Sequence, residues 1–293
     1  MTNTSTQFFQ PGEGCEELYT AIRDRSEFKK CKKYIEELWS FYHHLSDQHF
    51  LSDAKSHFVE RLWEMYLAKA LSNSNHKISS GGSTGPDFKI NFHSTTFWVE
   101  ATAPGSGSGN DAVPDLAINQ VNDVPEEQIM LRLSNSITNK VAKWRQWYPK
   151  IKRTGNNVFV IAINTCKIES IQFDYEPPFI VKVLYSIGPQ KMSIDKITLK
   201  VTSTSYNKRS ELKKKSGATV NSSLFLTKEY SDISAIIYTN HNMLSPSFIE
   251  GSDFRIIHNI NAKKPLPDDF FKLGWEYRVI NGEIRTKRRD CHQ

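Results

Sequence analysis

Apolar positions recur every three to four residues in three stretches of the chain. Leu18, Ile22, Tyr34, Leu38 and Tyr42 do so among charged neighbours, which predicts helix through the first fifty residues after a polar leader. Phe58, Leu62, Met65 and Leu67 predict a second helix over about 52–71, with Asp53 near its start. Ile129, Leu133, Ile137, Val141 and Trp144 predict a third over 126–148, stopped by Pro149. Elsewhere the period is two or the run is continuous. Phe88 to Phe92 and Thr96 to Thr102 alternate around a short polar break, as the arms of a hairpin do. Val158 to Asn164 is almost unbroken apolar, the pattern of a strand buried on both faces. Further strands are expected at 179–187, 197–202, 233–239 and 254–259.

Helix, hairpin, helix and buried strand in that order predict the α/β class. Residues 1–50 read as an N-terminal helical extension, 51–262 as the α/β core with a basic insertion near 203–217, and 263–293 as a basic C-terminal tail. No internal repeat interrupts this plan. The segment 104–125 carries Gly105, Gly107 and Gly109, but no Gly-Lys-Ser/Thr ending and no strand turning directly into a helix. A phosphate loop and a nucleophile elbow are therefore excluded, and a flexible loop beside the site is expected.

Charge and composition narrow the classes further. The 293 residues hold 38 Lys+Arg against 32 Asp+Glu, a formal charge of +6, and 38% are hydrophobic, enough for a sizeable core. The longest apolar runs are strand-length, far short of the roughly 20 residues a membrane helix needs. Met1 to Gln10 has neither the basic start nor the apolar stretch of a secretory signal, so a cytoplasmic location without membrane partners is expected. Cys15, Cys31, Cys166 and Cys291 lie far apart and read as free thiols. The mild basic excess allows nucleic acid as a partner without requiring it.

Candidate chemistry gathers around three acids. Glu100 interrupts the apolar run Phe97-Trp98-Val99-Glu100-Ala101, a position that is costly to bury unless the carboxylate is paired or binds a metal. The strand period places Glu100 and Thr102 on one face and Val99 and Ala101 on the other. Hairpin pairing brings Asp87, in Gly85-Pro86-Asp87-Phe88, close to Glu100. Glu60 and Glu64 stand one helical turn apart, and Glu64 lies inside an apolar run that turns it inward. Alone, Asp87 is ordinary turn chemistry and Glu60 a solvated helix residue. The ordered combination is what points to a site.

A helix acid, then Pro-Asp opening one strand, then Glu-x-Thr on the next resembles the PD-(D/E)xK nuclease superfamily over roughly Phe58 to Asn164. The resemblance implies a restriction-endonuclease-like mixed sheet flanked by helices. It implies Asp87 and Glu100 as ligands of Mg²⁺, with Mn²⁺ as a substitute, the Ala101 carbonyl as a further ligand and Glu64 as the assisting helix acid. Hard oxygen donors suit Mg²⁺, which activates water and relieves charge on phosphoryl oxygens. The superfamily's lysine position holds Thr102, which carries no charge. Lys140 on the following helix is the expected replacement, as the superfamily allows, with Lys143 nearer solvent. Lys89 is a second substitute, and Glu60 and Thr102 are supporting positions.

The function expected is therefore a Mg²⁺-dependent endonuclease hydrolysing phosphodiester bonds in DNA. The alternative is a nuclease-fold module without turnover that binds nucleic acid or a protein. A sugar hydrolase would also use two carboxylates, but nothing in the sequence favours it. Lys143, Lys208, Arg209, Lys213, Lys214 and Lys215 are expected to contact nucleic acid, and a second basic cluster comprises Arg285, Lys287, Arg288 and Arg289. Trp144, Trp147 and Tyr148 close the third helix, where packing against the sheet outweighs base stacking. A homodimer is compatible with this plan.

Overall fold

In the computed structural model, residues 5–13, 15–82, 85–117, 119–147, 157–244 and 249–289 are described. Tyr148, Cys291 and the side chain of Trp147 lie outside that set. The strands in chain order are β1 (Ile78–Ser80), β2 (Phe88–Phe92), β3 (Thr95–Thr102), β4 (Asn157–Asn164), β5 (Ile187–Ile194), β6 (Val201–Lys208), β7 (Glu211–Lys213), β8 (Thr219–Asn221), β9 (Ile233–Thr239), β10 (Arg255–His258), β11 (Gly274–Ile280) and β12 (Glu283–Arg289). Eight of them form one mixed sheet in the order β1-β2-β3-β4-β9-β10-β11-β12. The β2–β3 hairpin is antiparallel, whereas β3, β4 and β9 run parallel. Two separate ribbons, β5–β6 and β7–β8, stand outside this sheet.

Helices α1 (Glu17–Asp24), α2 (Lys29–Tyr42), α3 (Phe50–Asp53), α4 (Phe58–Asn73), α5 (Glu126–Trp147) and α6 (Phe179–Tyr185) cover the sheet on both faces. Alternation along the strands divides the core accordingly. Phe88, Ile90, Phe97, Val99, Val158, Val160 and Ala162 pack with α1 to α4. Trp98, Phe159, Ile161, Ile163 and Ile236 pack with α5 and α6. The mixed α/β class with a helix-flanked sheet is thus present, and β4 is buried on both faces, from Val158 to Asn164. Phe8, Tyr19, Ile35 and Trp39 share the first core with the sheet, so the N-terminal helices are a layer of the fold and not an appendage.

Three expectations are corrected. Residues 179–185 form helix α6 rather than a strand; six of its seven residues are buried, so its sequence is apolar all round and shows no helical stripe. The expected strand at 197–202 is mostly the turn between β5 and β6, where the Asp195 carboxylate accepts the backbone N–H groups of Ile197 and Thr198. The C-terminal segment expected as a tail forms β11 and β12, which extend the main sheet and bury Tyr277. Within it, Arg289 pairs with the buried Glu276 at 3.0 Å and Arg288 lies over the Trp275 ring.

Candidate functional site

Helix α4, the β2–β3 hairpin and helix α5 meet at a cavity of about 280 Å³. Its walls are Glu60, Arg61, Trp63, Glu64, Asp87, Glu100, Ala101, Thr102, Ala103, Lys140 and Lys143. The hairpin register explains the acid pair. Phe88 faces Val99 across the ladder, so Asp87, one residue earlier, falls opposite Glu100 just where the ladder stops. The Asp87 carboxylate takes over the last ladder position, accepting the Ala101 N–H at 2.6 Å. An N–H and a carbonyl of one strand residue leave the strand on the same edge, which directs the Ala101 carbonyl toward this side as well.

Glu100 is buried to 1% exposure and faces α5. Its Oε1 accepts hydrogen bonds from Lys140 Nζ at 2.9 Å and from Lys143 Nζ at 2.7 Å. Both lysines reach it because residues three apart share one helix face. Helix α5 is held at the right height by Trp144, which stacks on Phe159 of β4 with ring centroids 4.3 Å apart. Trp144 is therefore a packing residue.

Glu64 enters from α4. Arg61 Nη1, one turn earlier, lies 3.0 Å from its Oε1 and 3.2 Å from its Oε2, and the buried Tyr42 hydroxyl donates to Oε2 at 3.4 Å. Trp63 anchors the same helix turn by donating its Nε1 to the Ala162 carbonyl. Burial and the adjacent Asp87 charge push the Glu64 carboxyl up to about 8, outweighing the Arg61 guanidinium. Burial and then the Glu100 charge push Asp87 up to about 6, against the pull of the Ala101 N–H and the two lysines. The cavity therefore crowds acids so that burial and neighbouring charge keep protons on them in the absence of a cation.

The expected residues divide clearly. Glu64, Asp87, Glu100, Ala101, Thr102, Lys140 and Glu60 line one cavity, Glu60 with an ion pair to Lys167 at 2.6 Å. Lys143, expected nearer solvent as a nucleic-acid contact, is drawn onto Glu100. Lys89 is not among the lining residues; its ammonium lies 5.6 Å from the Trp98 ring centroid. Arg209 turns inward to Glu126 at 2.8 Å, which ties the ribbons to α5, whereas Lys208, Lys213, Lys214 and Lys215 are exposed. Arg61 was not anticipated, although its i,i+3 spacing to Glu64 is legible. The 104–125 segment is pinned by the buried Val113 and by Arg132, which donates to the Gly105 carbonyl.

The ligand oxygens of Glu64, Asp87 and Glu100 share the cavity without all lying within 4.8 Å of one another; among the described residues Glu16, His57 and Glu60 meet that spacing. A larger cavity of about 850 Å³ lies between the β5–β6 ribbon and β12 and contains only Lys208 of the expected residues. Among the described residues no helix is long and apolar enough to cross a membrane. Comparison with known proteins found no match: no family model, no curated protein and no solved structure matches the chain.

Proposed function

We propose that the chain is a divalent-metal-dependent nuclease of the PD-(D/E)xK type, acting on phosphodiester bonds in DNA within a restriction-endonuclease-like fold. One observation carries the reading: Glu64, Asp87, Glu100 and Lys140, scattered along the sequence, line a single cavity. The donor set fits a hard cation. Two carboxyls there are held above their ordinary range by burial and by a neighbouring acid, Asp87 beside Glu64 and Glu100 beside Asp87, and Glu60 Oε2 is buried without a hydrogen-bond partner. Asp87, Glu100 and the Ala101 carbonyl would hold Mg²⁺ or Mn²⁺, which supplies a more acidic water and charge relief at phosphorus.

The chain's own residues do the rest. The Ala101 N–H fixes the rotamer of Asp87. Lys140 and Lys143 both donate to Glu100 Oε1 and place two ammonium groups at the cavity wall, where a phosphate entering would meet them. Their position on α5 supplies the cation that Thr102 does not. Arg61 orients Glu64 at the opposite wall. The free thiols of Cys15, Cys31 and Cys166 accord with a cytoplasmic setting.

A second reading, a nuclease-fold module that binds without cutting, draws on the same ion pairs: both lysines converge on one oxygen of Glu100 and Thr102 is neutral. Plasmid incubated with the full chain and Mg²⁺ or Mn²⁺ separates the two. The nuclease reading expects nicking that Asp87→Ala and Glu100→Ala each reduce by at least about a hundredfold. Salt-sensitive binding with no cutting by the wild-type chain establishes the module instead.

A further inference from the structure

The charge of this protein is not spread over its surface. Residues 187–221, which form the β5–β6 and β7–β8 ribbons, hold eight Lys+Arg against two Asp+Glu, a net +6. That equals the formal charge of the whole chain, so the remaining residues sum to zero. A one-sided concentration of this kind is the electrostatic footprint of a polyanion partner.

The shape of the ribbon is equally specific. Beyond Gly188 every residue of β5 is exposed, as is every residue of β6. Eight-residue strands reach about 25 Å. Register places Lys191 opposite Ser205 and Ser193 opposite Ser203 on one face, and Met192 opposite Thr204 on the other. At the tip, Lys196 and Lys200 flank Ile197 and Leu199, which are 92% and 78% exposed. An isolated two-stranded hairpin is marginal in water, and large apolar side chains at its end gain nothing from solvent.

We propose that the β5–β6 ribbon is an arm that enters a groove of duplex DNA. Lys191, Lys196 and Lys200 lie against phosphates, and Ile197 and Leu199 wedge between base steps. Two-stranded ribbons enter the major or the minor groove, and ribbons and arms in the minor groove recurrently kink the duplex with apolar wedges. The base of the arm is fixed by Arg209 on Glu126, and β7 by the Lys213 N–H donating to Glu127 at 2.7 Å. Lys140 lies thirteen residues further along α5, about 20 Å at 1.5 Å per residue. A second copy of the chain is disfavoured as occupant because it would bring a second basic arm, net +3 over 187–208, toward the first. The inference deepens the nuclease reading by naming the form of the substrate and the element that grips it, and rests on that reading for the choice of DNA.

The test is fluorescence anisotropy of a fluorescein-labelled 24-bp duplex with the full chain in EDTA, where cutting plays no part and the fate of the nuclease reading is immaterial. The triple variant Lys191→Ala, Lys196→Ala, Lys200→Ala should bind at least about tenfold more weakly, with the slope of log K against log salt reduced by about 2 to 3. The double variant Ile197→Ser, Leu199→Ser should weaken binding and leave that slope unchanged. Wild-type affinity and slope in the triple variant overturn the proposal. So does equal affinity for a single strand of the same length. Conversion of a dimer to a monomer by the double variant in sedimentation, with DNA affinity intact, assigns the arm to a second copy and overturns it too.

Discussion

The lysines of α5 and those of the β5–β6 ribbon are one residue type in opposite settings. Lys140 and Lys143 lean over the sheet onto a carboxylate with a side-chain exposure of 2%, and are themselves 23% and 34% exposed. Lys191, Lys196 and Lys200 stand on a ribbon with no core beneath it. In the first setting charge is compensated inside the fold and only weakly screened. In the second it is open to counterions and falls off within about 10 Å at 0.1 M salt. What a lysine does here is decided by what its stem lies on, and the contrast separates lysines held against a buried carboxylate from lysines open to solvent.

The largest effect should come from removing the hub of the buried set. Glu100→Ala leaves two neighbouring ammonium groups of α5 without the carboxylate they share. Loss of one partner from a buried pair costs about 3–5 kcal/mol, and the partial exposure of both lysines places this case near 3. Urea denaturation of the metal-free protein measures it. Glu100→Gln keeps the shape and one acceptor oxygen, and should lose less stability while losing cleavage just as fully. A Glu100→Ala protein as stable as wild type would mean that the lysines find solvent without it, and the contrast with the ribbon would disappear.

Acid titration is the next lever. At low pH, folded and unfolded chains both carry protons on Asp87 and Glu64, and pH has no leverage through them. As pH rises through the ordinary carboxylate range the unfolded chain releases protons that the folded cavity retains, because burial and then a neighbouring acid, Asp87 for Glu64 and Glu100 for Asp87, hold both groups up. Stability of the metal-free protein should therefore fall as pH climbs from about 4 toward about 8. Millimolar Mg²⁺, by favouring the ionised acids, should flatten that fall, and thermal midpoints across the range with and without Mg²⁺ read it directly. A metal-free midpoint that rises over the same interval contradicts the crowding of these acids. Arg61→Met removes the group that orients Glu64, and should weaken Mg²⁺ activation about 10- to 100-fold, measured as the metal concentration at half-maximal cleavage.

How much of this was legible depended on whether a pattern was local. The β2–β3 hairpin, α4 and α5 announce themselves by period, and Asp87 and Glu100 follow from the hairpin with no tertiary knowledge. Helix α6 was hidden because total burial erases the helical stripe that exposure creates. Strands β11 and β12 were hidden for the opposite reason. Glu276 is buried inside β11 through its contacts with Arg289 and His258, and β12 is an edge strand whose charges discourage further pairing, so its sequence reads as a solvated tail. Lys143 does lie nearer solvent than Lys140, but its contact with Glu100 was not legible, because helical spacing fixes a face and not how far a flexible stem leans toward a carboxylate on another element.

The finest contrast compares single lysines. Lys196→Ala and Lys200→Ala, at exposed positions, should each change stability by no more than about 0.5 kcal/mol. Lys140→Ala and Lys143→Ala should each cost about 1 kcal/mol, because either lysine alone still neutralises Glu100. Removing both strips that buried carboxylate of both ammonium groups, so the double variant should lose more than the two singles together by about 1 kcal/mol or more. Cleavage should divide them differently: Lys140→Ala lowers it much more than Lys143→Ala if Lys140 is the replacement for the missing strand lysine. Equal activity in the two variants would remove that assignment. Strict additivity of their stabilities would show that the two ammonium groups do not share the Glu100 oxygen in solution, and the α5 lysines would then behave like those of the ribbon.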